Sequence, residues 1–439
     1  MTNEKIKKYY SERFFQAFAT NNDAINFAQK ICDRFLNLKE SYQLNKLIVY
    51  TGAGVSYDIE SMSWNDLIHK ILYYRISNSI KDDSKPLWYD FYTKNSSQPL
   101  SKKDPLCAAE QLLCSLDLNG AYKNNNFYTE NRYKELKLQK DVEEIIGKTP
   151  EYIDNKIFSS SKYLNIIWLA ALCIGKKYSV KNIITTNYDY YLDYVIFNLL
   201  NPTKNSKWKK ISSKISCDNK KINNVVSECS EGRFSFKDSS FETDYVSSNS
   251  EIQIKHVHGL IYYDTVINHS ISKGELIFSE SSYDNLDIRP YNWINIIQTQ
   301  AFANSPILFI GFSGTDTNYR RLMNRLQKSQ SYKQDRFMIQ SLDDIYKYVM
   351  DSFILSSPFD EQQDEATNLN AFEPFCDKNI KSAVDIFINL IDTYDKYYMD
   401  KLGVCVLWFK DFSCLATLYE NLYKGKTISL KKMLTILSK

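Results

Sequence analysis

Short apolar runs that stop at turn residues recur along the chain, at Lys46–Thr51, Asn182–Thr186, Ile252–Val257, Pro306–Gly311, Arg336–Gln340 and Val404–Phe409. Parallel strands covered on both faces read as continuous runs of this kind, without apolar–polar alternation. Helical spacing of apolar residues lies between them, at Trp64–Arg75, Tyr163–Gly175, Tyr188–Leu200, Trp293–Asn304 and Asn318–Lys328. A further helical stretch, Glu4–Leu38, precedes the first strand. Strand, turn and helix in repetition predict an α/β fold, a Rossmann-like doubly wound parallel sheet. The pattern divides the chain into an N-terminal helical segment over 1–40, a main domain over 41–425 and a basic tail over 426–439. Within the main domain, 81–160 reads as a helical module around Cys107–Ser115. The Lys-, Ser- and Asn-rich stretch 201–250 reads as a loop-rich polar insertion, and 342–398 as a helical region with an acidic loop near Asp360–Glu365.

Composition narrows the picture mainly by exclusion. Of 439 residues, 44% are hydrophobic and 24% charged, which is globular rather than disordered or fibrous composition. A formal net charge of +3 demands neither a nucleic acid nor an anionic membrane as partner. The basic run Lys204–Lys214 accordingly reads as a solvated loop. Nine cysteines, an odd number without a C-x-x-C pair, argue against a disulfide framework and a zinc ribbon. No metal site is expected. Met1–Arg13 carries no secretory apolar stretch, and no apolar run approaches the roughly 18–20 residues of a membrane span. A cytoplasmic chain is the expectation.

Candidate chemistry sits where strands end. The first strand runs into Gly52-Ala53-Gly54-Val55-Ser56, a turn able to aim backbone N–H groups at a pyrophosphate. Tyr57 stands where a dinucleotide fingerprint has its third glycine, so a merely tight structural turn remains the competing reading. Three other runs end in polar residues: Thr185-Thr186-Asn187-Tyr188-Asp189, His256-Val257-His258-Gly259, and Gly311-Phe312-Ser313-Gly314-Thr315-Asp316. Ligands of open parallel sheets bind at the carboxyl ends of strands, so four such segments would meet in one crevice.

With these pieces in order, the chain resembles the SIR2 (sirtuin-like) family, and within it the bacterial branch found in antiphage defence. The resemblance rests on Gly52–Ser56, Thr186-Asn187-Tyr188-Asp189, His258-Gly259, and Gly311-Phe312-Ser313 followed by Asp316. Weaker matches are Ser63-Trp64, Leu276-Ile277-Phe278 followed by Tyr283, and the closing strand Leu402–Phe409. It implies an NAD⁺ hydrolase that cleaves the nicotinamide–ribose bond to give nicotinamide and ADP-ribose, latent until triggered. Asn187 and His258 would be the catalytic pair: an amide that both donates and accepts can fix a water and a ribose hydroxyl, and an imidazole can take a proton. Gly52, Ala53, Gly54 and Ser56 would face the pyrophosphate. Asp189 would hold Asn187 or the dinucleotide, while Gly311, Phe312, Ser313 and Asp316 would complete its site, Ser313 and Asp316 on the adenosine side.

Rival readings accompany each assignment. His256, two residues from His258, is a second candidate base. Asn187, Asp189 and Asp316 are all residues favoured as helix caps. The family's deacylases carry two C-x-x-C zinc pairs; here Cys217 and Cys229 are the nearest pair in the insertion, which puts deacylation or ADP-ribosyl transfer behind hydrolysis. A non-catalytic scaffold that senses NAD or ADP-ribose is the alternative class. The resemblance further implies a homo-oligomer and a partner such as a HerA-type ATPase or a short Argonaute, with the N-terminal helix and the basic tail as candidate contact surfaces.

Overall fold

A computed structural model describes residues 4–60, 66–67, 70–71, 139–159, 165–175, 180, 182–202, 205–215, 224–237, 240–242, 251–278, 280–312, 314, 316–328, 335–358, 363–410 and 414–438. The helical module expected around Cys107–Ser115, most of Trp64–Arg75, Ser63-Trp64, Cys217 and Ser313 lie outside the described residues.

The strands are β1 (Ile48–Thr51), β2 (Asn182–Thr185), β3 (Asn224–Cys229), β4 (Gly232–Lys237), β5 (Ser240–Glu242), β6 (Glu251–His256), β7 (Leu260–Asp264), β8 (His269–Lys273), β9 (Ile307–Ile310), β10 (Arg336–Ser341) and β11 (Cys405–Phe409). Among the described residues they form a nine-stranded sheet, β11-β10-β9-β1-β2-β6-β3-β4-β5, and a separate β7-β8 hairpin. From β11 to β3 every pairing is parallel. Counting β1, β2, β6, β9, β10 and β11 in chain order gives the arrangement 3-2-1-4-5-6. The chain therefore winds outward from β1 on one side, then returns to β9 on the other. Ligands of doubly wound sheets bind at such a reversal.

Both faces of the central strands β1, β2, β9 and β10 are covered, which explains their unbroken apolar runs. Val49 of β1 and Leu308 of β9 enter one core. Their neighbours Ile48 and Tyr50, and Ile307 and Phe309, enter the other. Alternate side chains of one strand point to opposite faces, so a strand between two cores has no polar side to show.

The N-terminal segment forms two helices, Glu4–Thr20 and Asn22–Gln43, rather than one. Asn21 breaks them because its side chain caps the second, accepting the N–H groups of Asp23 (2.8 Å) and Ala24 (3.2 Å). The first helix buries Ile6, Tyr10, Phe14 and Phe18, with Phe14 and Phe18 edge-on to Phe387 of the long helix Glu365–Tyr397. The C-terminal helix Leu430–Ser438 likewise buries Met433, Ile436 and Leu437 in the same core. The apolar faces of both proposed contact surfaces are thus used inside this fold, leaving their polar faces outward.

The stretch 201–250 corrects the loop-rich expectation. Its described residues contain the helix Ser206–Ile215 and three strands that widen the sheet. Seven Lys and Ser residues conceal the apolar stripe of that helix, Trp208, Ile211 and Ile215, at helical spacing. Trp208 Nε1 donates to Asp154 (2.9 Å), which also accepts from Tyr194 (2.8 Å), so one half-buried carboxylate ties the insertion to two framework helices. No helix among the described residues is long and apolar enough to cross a membrane.

Candidate functional site

Sheet register sets the site. Thr51 of β1 stands opposite Ile310 of β9 and Thr185 of β2, and Thr185 stands opposite His256 of β6. The four strands therefore end abreast, and the residues that follow them emerge along one edge. The backbone continues this order past the strands: Thr186 donates to Thr51 O (3.0 Å) and Val257 to Thr185 O (3.0 Å).

The glycine turn meets a second glycine before it meets any ligand. Gly52 N donates to Ile310 O and Gly54 N to Gly311 O, each at 3.0 Å; Val55 and Ser56 N–H groups close the turn on Gly52 O and Ala53 O. A Cβ on Gly52 would sit 2.6 Å from Gly311 O, one on Gly54 2.8 Å from Gly311 Cα, and one on Gly311 2.5 Å from Val55 N. Gly311 also has φ +60°, a conformation that disfavours a side chain. Two backbones press together here, and that contact accounts for the glycines. The expectation that this turn aims several free N–H groups at an anion is corrected: four of them are already satisfied, and Ala53 is the exposed residue of the turn.

Ser56, at the end of the turn, joins the first two strand ends. Its Oγ accepts from Asn187 Nδ2 (2.9 Å) and donates to Asp189 Oδ2 (2.7 Å). Asp189 thus reaches Asn187 through Ser56, not directly. Its other oxygen accepts the backbone N–H of Tyr191 (3.1 Å), where the helix Tyr191–Leu200 starts. Of the two candidate caps before this helix, Asp189 serves it, whereas the Asn187 side chain turns toward Ser56. Burial raises the Asp189 carboxyl to about 6, against the opposing hydrogen bonds from Ser56 and Tyr191. Asn187 is buried, and its Oδ1 has no hydrogen-bond partner among the described residues.

The two histidines divide clearly. His256 is occupied: Nδ1 lies 3.3 Å from Asn187 O and Nε2 3.2 Å from Asp193 Oδ1, and Asp193 also accepts from Ser227. Burial lowers its pKa, but the Asp193 carboxylate and the hydrogen bonds outweigh that and raise it. His256 therefore braces the loop that carries Asn187. His258 is also buried, yet its Nε2 makes no hydrogen bond among the described residues. Its ring stands edge-on to Tyr283 at 5.6 Å and tilted to Tyr188 at 6.4 Å. Burial pushes its pKa below the usual histidine value, with Asp316 opposing. Gly259, at φ +91°, lets the chain turn directly after it into β7, since a Cβ there would lie 2.6 Å from Leu276.

Asp316 is both cap and neighbour of the imidazole. Its Oδ1 accepts Tyr319 N (2.7 Å) at the start of the helix Thr317–Lys328, and its Oδ2 accepts from Tyr283 OH (2.6 Å). That same Oδ2 is 3.6 Å from His258 Nε2. The carboxylate expected on the adenosine side thus faces the histidine. Phe312 also departs from expectation: its ring packs on Tyr50, Phe309 and Tyr319 in the core, and its carbonyl accepts from Gln340 (2.9 Å). Its side chain supports the site from beneath and offers no face to a ligand. Tyr283 and Ser56 carry more of the polar network than sequence reasoning assigned them. Among the described residues no group of three His, Cys, Asp or Glu side chains is placed to hold a metal ion.

The reversed strand order, with this polar edge at its carboxyl ends, defines a sirtuin-like Rossmann-type fold. A sequence profile of the SIR2-like domain family matches residues 181–368, which supports the SIR2-like family and an NAD-related function. The matched stretch holds Asn187, Asp189, His258, Gly311 and Asp316; the glycine turn lies outside it and joins the site through strand pairing and Ser56. No curated protein matches the chain.

Proposed function

We propose that the chain is an NAD⁺ glycohydrolase, converting NAD⁺ and water to nicotinamide, ADP-ribose and a proton, with Asn187 and His258 at the reacting bond. The observation that carries this reading is Asn187 Oδ1, buried without a partner among the described residues beyond the end of β2, with the buried His258 beyond the end of the adjacent parallel strand β6. An enclosed polar atom left unpaired costs about 1–3 kcal/mol, so this oxygen marks a place kept for a ligand's hydrogen bond.

Nicotinamide leaves as a neutral molecule, so little acid catalysis is required; holding the sugar and a water in reacting geometry matters more. Asn187, its Nδ2 fixed by Ser56, presents Oδ1 to a ribose hydroxyl or to that water. His258, neutral because burial disfavours its cation, accepts the proton released. In the cell, depletion of NAD after infection is the proposed role, with a partner or self-assembly releasing a latent state.

Nicotinamide release from NAD⁺ by the purified chain, alone and with candidate activators, tests the proposal. Asn187→Ala and His258→Ala should each abolish turnover while the fold is retained. Full turnover in both variants would remove this site from the chemistry. Tight binding of NAD⁺ without release under every condition would instead favour a sensing scaffold.

A further inference from the structure

The hydrolase reading leaves unexplained why a carboxylate faces the histidine. We propose that Asp316, held by the Tyr283 hydroxyl, is a positioning residue that fixes the tautomer and orientation of His258; this rests on the reading that His258 is the proton acceptor. Three contacts converge on one side chain. The Oδ1 atom is committed to Tyr319 N–H at the helix start, which sets the carboxylate plane. The phenol of Tyr283 donates to Oδ2 at 2.6 Å, and burial keeps that phenol protonated by raising its pKa well above the usual value. What remains of Oδ2 faces His258 Nε2 across 3.6 Å, with both side chains nearly closed to solvent.

At 3.6 Å this is an ion-pair distance slightly beyond a hydrogen bond, and such contacts commonly tighten when substrate fills a site. A carboxylate beside Nε2 favours the tautomer with its proton there, leaving the Nδ1 lone pair to accept a proton. It also stabilises the imidazolium that acceptance creates. An aspartate in a Ser-His-Asp triad acts on its histidine by the same physics. The groups facing His258 are Asp316 from the start of the helix Thr317–Lys328, Tyr283 from the helix Glu280–Ile288 and Tyr188 from the turn after β2. Asp316 alone among them is a carboxylate. Its cap function is separable, because Asn caps a helix as well as Asp does. Asp316→Asn therefore keeps the helix start, removes the charge and turns the atom facing Tyr283 and His258 from an acceptor into a donor.

The test uses the full chain with labelled histidine, whose four imidazoles are few enough to resolve by NMR. His258→Gln identifies the resonance. In the native chain His258 should hold its proton on Nε2. In Asp316→Asn the tautomer preference should weaken and the imidazole should titrate at lower pH. In parallel, kcat should fall about 10–100-fold with KM for NAD⁺ little changed, the acid limb of the pH profile moving to lower pH. Tyr283→Phe should give a smaller loss in the same direction. Native tautomer, titration and pH profile in Asp316→Asn would overturn the inference, as would a raised KM at unchanged kcat, which would make Asp316 a substrate contact. Native turnover in His258→Ala would instead defeat the hydrolase reading, and the NMR comparison would still decide whether Asp316 governs His258.

Discussion

Ser56→Ala removes one oxygen and leaves two neighbours without it. The hydroxyl accepts from Asn187 Nδ2 at 2.9 Å and donates to Asp189 Oδ2 at 2.7 Å. A neutral hydrogen bond contributes about 1 kcal/mol, and one to a carboxylate about 1.5–3 kcal/mol. With Asn187 buried and Asp189 mostly enclosed, replacement water has little access, so the loss should be about 3 kcal/mol. An unfolding entropy of about 2.1 cal/mol/K per residue makes each kcal/mol worth about 1 °C in a chain of 439 residues. Calorimetry should therefore show a melting temperature lower by about 3 °C. Turnover should suffer as well as stability, because the amide of Asn187 loses the contact that orients it. A fall in kcat of about 10–100-fold corresponds to about 1.4–2.8 kcal/mol at the transition state. Native melting would show that the bridge contributes nothing. Lower melting with native kcat would show that it holds the fold and leaves Asn187 oriented by other means.

Gly311→Ala places a methyl group 2.5 Å from Val55 N in a residue at φ +60°, so clash and backbone strain add. A loss of about 2–4 kcal/mol in denaturant unfolding is expected, with NAD⁺ turnover impaired as the turn shifts. Asp189 gives a pH signature. Its carboxyl titrates at about 6 in the fold against 3.8 as a reference, so the folded state holds the proton more tightly between those values. Its contribution to stability therefore declines as pH rises from about 4 through about 6 and is level above. Compared with Asp189→Asn, the native chain should lose on the order of 3 kcal/mol of unfolding free energy across that window. A constant difference from pH 4 to 7 would show that the carboxyl is not perturbed.

The central strands β1, β2, β9 and β10 were legible because they lie between two cores, and the runs at β6 and β11, each packed on one core, were apolar enough to recognise as well. Polar residues just after such runs, as at Asn187 and His258, were equally visible. The helix Ser206–Ile215 and strands β3 to β5 were hidden, because burial of three or four side chains is enough when Lys and Ser fill the rest. The β7-β8 hairpin was missed although Leu260-Ile261-Tyr262-Tyr263 is an apolar run, because only three residues separate it from β6 and the two read as one stretch. Within the site, spacing could not tell that Gly52 and Gly54 serve a contact with Gly311, that Phe312 turns into the core, or that Asp316 faces His258. Each depends on which loops the register brings side by side. His256 and His258 differ in how their carboxylates stand: Asp193 hydrogen-bonds the first, while Asp316 lies 3.6 Å from the second, just beyond a hydrogen bond.

The central claim is that Asn187 and His258 face the sugar–nicotinamide bond of NAD⁺ together. An experimental structure of the full-length His258→Gln chain with NAD⁺ bound tests it most directly. The account predicts the nicotinamide-bearing ribose beside residue 258, with a hydroxyl or an ordered water within about 3.5 Å of Asn187 Oδ1. A dinucleotide bound elsewhere, or a ribose beyond reach of that oxygen, would contradict it.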